Sequence, residues 1–377
     1  MHAQSGFARR AAVVGIGATR QGAHPGVDRY ELAFAALTEA LADGDVDKLE
    51  IDGVLTGQQF DRSGLDPLDV SRLLGINPRV TGTLDYSTGG FTTQYAAMLV
   101  ATGICETVLC VYARNPPGAM TQLSGGIDED RTYGLYNAGA TAALGWTRYA
   151  ALYGGREETL GEVAVTHREH ARLNPLAAFR DPLTLDDYLA EPYSVWPFRD
   201  LDICTMTAGA AALIVTTPER ARSGPHRPVL FLASGRRQSA RRLQSDEHFL
   251  CHAMRDAAAQ LYAAADLRPE DVDVLAISDA STAVVVQTLE NYGFCGEGEG
   301  GDFIAGGGIR VGGRLPVNTD GGQLSGGYLV GWLHQVELVR QLRGEAGERQ
   351  VEDARVGQYT TTGMFREHYL ATLYVAD

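Results

Sequence analysis

Cysteine is scarce in this chain of 377 residues: Cys105, Cys110, Cys204, Cys251 and Cys295 are its five. Their number is odd and no C-x-x-C pair occurs, so neither a disulfide framework nor a zinc site is indicated, and buried free thiols are expected. Basic residues are in the minority, with 32 Lys and Arg against 47 Asp and Glu and a formal net charge of -15. That balance leaves no footprint for nucleic acid or for an anionic membrane. Arg236, Arg237, Arg241 and Arg242 form the one local exception; they read as a solvated basic loop, with contact to a polyanionic tail as the alternative. No apolar run reaches the roughly 18 residues of a membrane span. Residues 1–10 are short and polar, so a cytoplasmic protein is expected.

Glycine, by contrast, is abundant. The 45 glycines suggest tight turns and close backbone approaches of the kind an α/β enzyme builds around a ligand. Residues 11–17 (AAVVGIG) read as a buried strand, followed by a helical period through ELAFAALTEALADG with Asp28 as N-cap and Gly44 as C-cap, and then by a strand at 51–56. The same order returns later: a strand at 227–235, a helix at 252–265 and a strand at 271–278. The junctions ADGDVDKLEIDGVLTG and ADLRPEDVDVLAISDA also correspond, each a helix end, an acidic turn and a strand.

Two copies of one β-α-β-α unit are therefore expected, with largely parallel sheets between helices and a site where the halves meet. The division reads as an N-terminal half at 1–130, a helical and loop insertion with a return strand at 131–220, and a C-terminal half at 221–377. Gly89–Gly90 and Gly321–Gly322 are predicted at matching helix starts facing one cleft. The insertion, with a helix at 160–173, reads equally as a cover for that cleft or as a plain helical cap.

At this level of detail the residues resemble a known family. The run LPVNTDGGQLSGGYLVG, with ENYGFCGEGEGGDF before it, QLRGEAGERQV after it and HARLNP at 170–175, is similar to the thiolase-like lipid-transfer proteins related to sterol carrier protein X, in the branch of steroid side-chain aldolases. The resemblance spans nearly the whole chain. It implies a five-layered αβαβα thiolase fold of two similar halves, a homodimer and acyl-CoA substrates. It also implies a small partner with an OB fold and a zinc ribbon, and no cofactor or metal of its own beyond the coenzyme A carried by the substrate.

The resemblance also shows what is missing. A degradative thiolase places a thiolate at the start of the first-half helix, where the helix N-terminus lowers its pKa. Here that stretch is Asp85-Tyr86-Ser87-Thr88-Gly89-Gly90. Ser87 lacks an identifiable base and reads more readily as a helix cap. The family's Gly-His-Pro corresponds to Gly327-Tyr328-Leu329, and its C-terminal cysteine and glycines to Thr360-Thr361-Thr362-Gly363. Cys295 sits in a separate motif and is expected to be structural.

What remains suits retro-aldol cleavage of a β-hydroxyacyl-CoA, which needs proton transfer and enolate stabilisation but no acyl-enzyme. Tyr328 is the candidate base. A second tyrosine, expected just before the Asp of a Y-D-x-F-T-like motif, is replaced by Ser278, leaving Tyr292, Asp279 and His334 as candidate partners. Tyr292 reads equally as a core aromatic, and Asp279 equally as the N-cap of a helix at 281–290. Catalytic residues are thus expected at Tyr328, Tyr292 and Asp279, and substrate contacts at Ser87, Gly89, Gly90, Gly321, Gly322, Ser325 and His334. An acyl-transfer component, or a catalytically silent subunit binding a lipid-CoA, would be the alternative to a lyase.

Overall fold

The computed structural model describes residues 8–58, 64–85, 88–116, 121–122, 132–134, 138–238, 253–362 and 368–377. The first unit begins with β1 (Ala12–Ala18), whose seven residues are all buried. It passes into α1 (Arg29–Asp43), where Asp28 accepts the N–H of Tyr30 and Gly44 closes the C-terminus, as the sequence predicts. There follow β2 (Gly53–Gln58), α2 (Pro67–Leu74), β3 (Val80–Asp85), α3 (Gly89–Ala101) and β4 (Thr107–Arg114).

Two small ribbons follow, β5 (Thr121–Gln122), just ahead of the insertion, with β8 (Thr205–Met206), and β6 (Tyr193–Val195) with β7 (Phe198–Arg199) inside it. Its helices are α4 (Ala138–Tyr153), α5 (Glu157–Arg172) and α6 (Leu185–Ala190), after which β9 (Gly209–Thr216) returns to pair with β1 and β4. The second unit runs α7 (Pro218–Arg222), β10 (Val229–Gln238), α8 (Ala253–Ala265), β11 (Val274–Ile277), α9 (Thr282–Asn291), α10 (Gly300–Ala305), α11 (Trp332–Arg343), β12 (Val356–Thr362) and β13 (His368–Ala376).

Nine strands form one sheet in the order β11-β12-β13-β10-β1-β9-β4-β2-β3. Read outward from the central β1·β10 pair, the two sides mirror each other, β9-β4-β2-β3 against β13-β12-β11. The tenth position that full symmetry would require is filled by a parallel bridge from Leu275 to Val317, so β3 has its counterpart in a single residue pair. The sheet is mixed rather than largely parallel: β2 runs parallel to β3 and β4, and β11 to β12, whereas the other pairs are antiparallel. Apart from the β1·β10 pair, every antiparallel pair involves β9 or β13, the strand that returns to close its unit.

The helices α3 and α11 pack on each other and on strands of both units, while α1 covers one outer face and α8 the other. This is the αβαβα layering. The middle layer contributes a core that includes Tyr112, Trp332, Val336 and Tyr359, and two further clusters of buried side chains lie outside it. Among the described residues no helix is long and apolar enough to cross a membrane.

Candidate active site

The topological match assigns α11, not the Gly321–Gly322 pair, as the counterpart of α3. Gly321 and Gly322 instead open a π-helical turn, Gly322–Gly326, ten residues before α11 begins. The turn is held against α5 of the insertion. Gly321 abuts Ala171, and Gly322, at φ +66°, lies so near the Asp279 carboxylate and His167 that a Cβ there would collide with both. Ser325 is buried and its hydroxyl accepts a hydrogen bond from Arg168 Nε at 3.0 Å. These three predicted ligand contacts are therefore packing contacts between the turn and α5.

Behind the turn sits a buried array of ionisable groups. Asp279 is fully enclosed; its Oδ1 accepts the N–H of Gln323 at 2.7 Å and its Oδ2 accepts from His167 Nδ1 at 2.9 Å. His334 stands between two carboxylates, donating from Nδ1 to Asp320 at 2.9 Å with its Nε2 3.4 Å from Asp279. Burial opposes charge on Asp279 and on His334, yet the two histidines hold the Asp279 pKa down at about 2, and the two carboxylates raise that of His334 to about 10. The array is thus a carboxylate–imidazolium network. Neither His167 Nε2 nor His334 Nε2 completes a further hydrogen bond among the described residues.

Asp279 is not the cap of α9, since Ser281 occupies that position. His334 is about 1% exposed and is engaged by carboxylates rather than open to substrate. His170, by contrast, has both ring nitrogens occupied, by the carbonyl of Asn318 and the N–H of Val311. Burial pushes its pKa down to about 4, so it stays neutral.

Tyr328 occupies a different place. It packs against two of the three cores and is partly buried, at the junction of the two units. Its backbone N–H donates to Thr207 Oγ1 at 2.9 Å, a residue just before β9 of the first unit. The guanidinium of Arg114, a buried residue at the end of β4, lies 5.3 Å from its ring centroid. Each contact is between units, so neither could be read from local sequence.

Tyr292 is not with these groups. It terminates α9 inside the core of the second unit, about 2% exposed, with burial raising its pKa and no hydrogen-bond partner for its hydroxyl among the described residues. It is a core aromatic. Gly89 and Gly90 do open α3, but they face Trp332 and Tyr359 at close range, so their lack of side chains lets the two middle helices and β12 approach. Ser87 lies outside the described residues.

The remaining expectations concern thiols and arginines. Cys295 is half-buried, and burial together with Glu290 and Glu299 pushes its pKa to about 12, which disfavours the thiolate. Cys105, Cys110 and Cys204 are buried free thiols, while Cys251 lies outside the described residues. Arg236 stacks over Phe91 and Arg237 pairs with Asp256; Arg241 and Arg242 lie outside the described residues.

Sequence reasoning missed Arg114, His167 and Asp320. Asp320 lies inside the glycine motif and His167 three residues before the HARLNP run, but nothing in their spacing says that they converge on Asp279.

Comparison with known proteins adds to this geometry. Residues 235–374 match the family described as thiolase C-terminal domain-like. The chain is 35% identical over 361 residues to a steroid side-chain-cleaving aldolase of Thermomonospora curvata, covering 89% of this chain and 90% of that one. It is 36% identical over 362 residues to the 17-hydroxy-3-oxo-4-pregnene-20-carboxyl-CoA lyase of Mycobacterium tuberculosis, covering 89% and 92%. Among solved structures, the Ltp2-ChsH2(DUF35) aldolase superposes with a TM-score of 0.89 at 33% identity, over 98% of this chain and 99% of that one.

Proposed function

The chain belongs to the thiolase superfamily, in its steroid side-chain-cleaving aldolase branch, and on that premise we propose that it splits a β-hydroxyacyl-CoA with a bulky apolar acyl group, Tyr328 handling the hydroxyl proton. It is a carbon–carbon lyase acting on acyl-CoA. In the retro-aldol direction a base removes the proton of the β-hydroxyl and the Cα–Cβ bond breaks. A ketone or aldehyde leaves, and the electron pair remains as a thioester enolate that is then protonated.

The observation that carries the reading is the placement of Tyr328. Its phenol stands where the two units meet, its backbone is pinned from the first unit by Thr207, and a guanidinium lies over its ring. A cation in that position favours phenolate over phenol, which supplies the positive field that a tyrosine base requires near neutral pH. The buried Asp279–His334–Asp320 network then acts as the rigid backing of the glycine-rich turn that leads into Tyr328.

The assembly we infer is a cytoplasmic homodimer that works with a small OB-fold and zinc-ribbon protein, and it takes no cofactor other than the coenzyme A of its substrate. The two-component name of the Ltp2-ChsH2(DUF35) aldolase supports such a partner. The test is to incubate the chain, alone and with its small partner, with a 3-hydroxyacyl-CoA bearing a bulky β-substituent and to assay carbonyl release. Release of the ketone or aldehyde together with the shortened acyl-CoA is expected. Its absence in both mixtures would leave a lipid-CoA-binding subunit as the better account.

A further inference from the structure

Tyr359 belongs to β12, is fully buried, and lies one residue before the Thr360-Thr361-Thr362 run. Its ring occupies a niche made by two glycines. A Cβ on Gly90 would collide with the ring edge, and one on Gly331, at φ +80°, would collide with the hydroxyl. Gly90 belongs to α3 and Gly331 immediately precedes α11, so both middle helices give way to this one phenol.

The niche brings the hydroxyl of Tyr359 beside the side chains of Thr88, Thr361 and Ser278. These groups come from the start of α3, from β12 and from the end of β11, where Ser278 donates its backbone N–H to Thr360. They crowd together, yet three of the hydroxyls find no partner in hydrogen-bond geometry. Tyr359 Oη, Thr88 Oγ1 and Thr361 Oγ1 are all buried with no hydrogen-bond partner among the described residues.

A buried hydroxyl left unsatisfied costs on the order of 1–3 kcal/mol, and native structures keep few of them. Three in one place point to a polar atom that joins them. Thr88 sharpens the point, because a threonine at a helix N-cap ordinarily turns its hydroxyl onto the helix, and Thr88 makes no such bond. The hydroxyls therefore converge beside the N-terminus of a 13-residue helix, whose dipole favours an oxygen bearing negative charge.

We propose that Tyr359, with Thr88 and Thr361, hydrogen-bonds the thioester oxygen of the substrate and holds it as an enolate oxygen while the Cα–Cβ bond breaks. The role rests on the lyase reading above and complements it: Tyr328 serves the β-hydroxyl, and Tyr359 serves the carbonyl. It also gives Ser278 a meaning. The small side chain at the end of β11 leaves room for a phenol delivered from the neighbouring strand β12. Burial pushes the Tyr359 pKa to about 12, so the group keeps its proton and acts as a donor.

The test is Tyr359→Phe, which removes one oxygen and keeps the ring in its niche. Turnover should fall by about 100- to 1,000-fold, the range seen when one oxyanion donor is lost. Because the hydroxyl has no hydrogen-bond partner to lose among the described residues, the thermal midpoint should not fall. Calorimetry with acetyl-CoA and with S-ethyl-CoA, its thioether analogue without the carbonyl, separates this role from the lyase reading. The unaltered chain should prefer the thioester and Tyr359→Phe should bind both alike, even if no lyase activity is found. Thr361→Val, nearly isosteric, should weaken the same preference. Retained turnover and retained preference in Tyr359→Phe, or a marked drop in its melting temperature, would overturn the proposal.

Discussion

The guanidinium of Arg114 lies over the ring of Tyr328, 5.3 Å from its centroid, and joins the last residue of β4 in one unit to the glycine-rich turn of the other. Among the described residues, Arg114 and Asp279 both act on the Cys204 thiol near this junction. The fully buried Cys204 feels the negative charge of Asp279 and the positive charge of Arg114.

Arg114→Gln removes the cation and keeps a planar polar side chain. Losing a positive charge at this range makes the phenolate harder to form, so the rise of kcat/KM with pH should move to higher pH. Arg114→Lys, which restores charge without the planar stack, should recover part of the shift. A pH–rate profile unchanged in Arg114→Gln would mean that the arginine only packs.

Tyr328→Phe should reduce turnover by about 100- to 10,000-fold, the usual worth of general acid–base assistance. Its aromatic packing against both cores is retained, so the circular dichroism spectrum and thermal midpoint should stay close to those of the unaltered chain. A loss well under about tenfold would mark a structural tyrosine.

No covalent acyl-enzyme should form on incubation with an acyl-CoA. Intact-mass spectrometry checks this. The half-buried Cys295, with its pKa near 12, lacks the thiolate needed for attack, and a stable adduct there or on Ser87 would restore acyl transfer as the chemistry.

His334 makes stability depend on pH. Its pKa is raised from 6.5 to about 10, so between those values the folded protein keeps a proton that the unfolded chain releases. The stabilisation should be complete below about pH 6.5 and fall as pH rises toward 10, by at most about 1.4 kcal/mol per unit. On the acid side, the lowered pKa of Asp279 adds a loss as pH falls from 3.8 to about 2. Denaturant midpoints measured across both ranges are the check. His334→Gln should flatten the alkaline limb and cost about 3–5 kcal/mol, because it leaves buried carboxylates without their cation.

Much of the fold was legible in the sequence because its signals are local. Asp28 and Gly44 mark the ends of α1 where they were expected, and the paired acidic turns before β2 and β11 announce the duplication. The vacant thiolate position was equally plain, since the absence of cysteine from a short motif is visible without coordinates. Tyr328 was singled out by its place between glycines. The sequence could not show what surrounds it. Arg114 lies more than two hundred residues away and Thr207 more than one hundred, and both reach it only because β9 returns to β1 and the two units join at the β1·β10 pair.

The same limit explains the misplaced residues. Tyr292 has the period of a helix end, but only packing decides that this end points into the core. Gly321 and Gly322 look like a ligand-approach loop, yet the insertion folds α5 onto them and turns their freedom to close packing. Composition and periodicity thus determined the elements and their repetition, which depend on residues within a few positions of one another. Which ionisable groups share a buried space, and which hydroxyls are left without partners there, depended on contacts between distant segments that the assembled layers alone bring together.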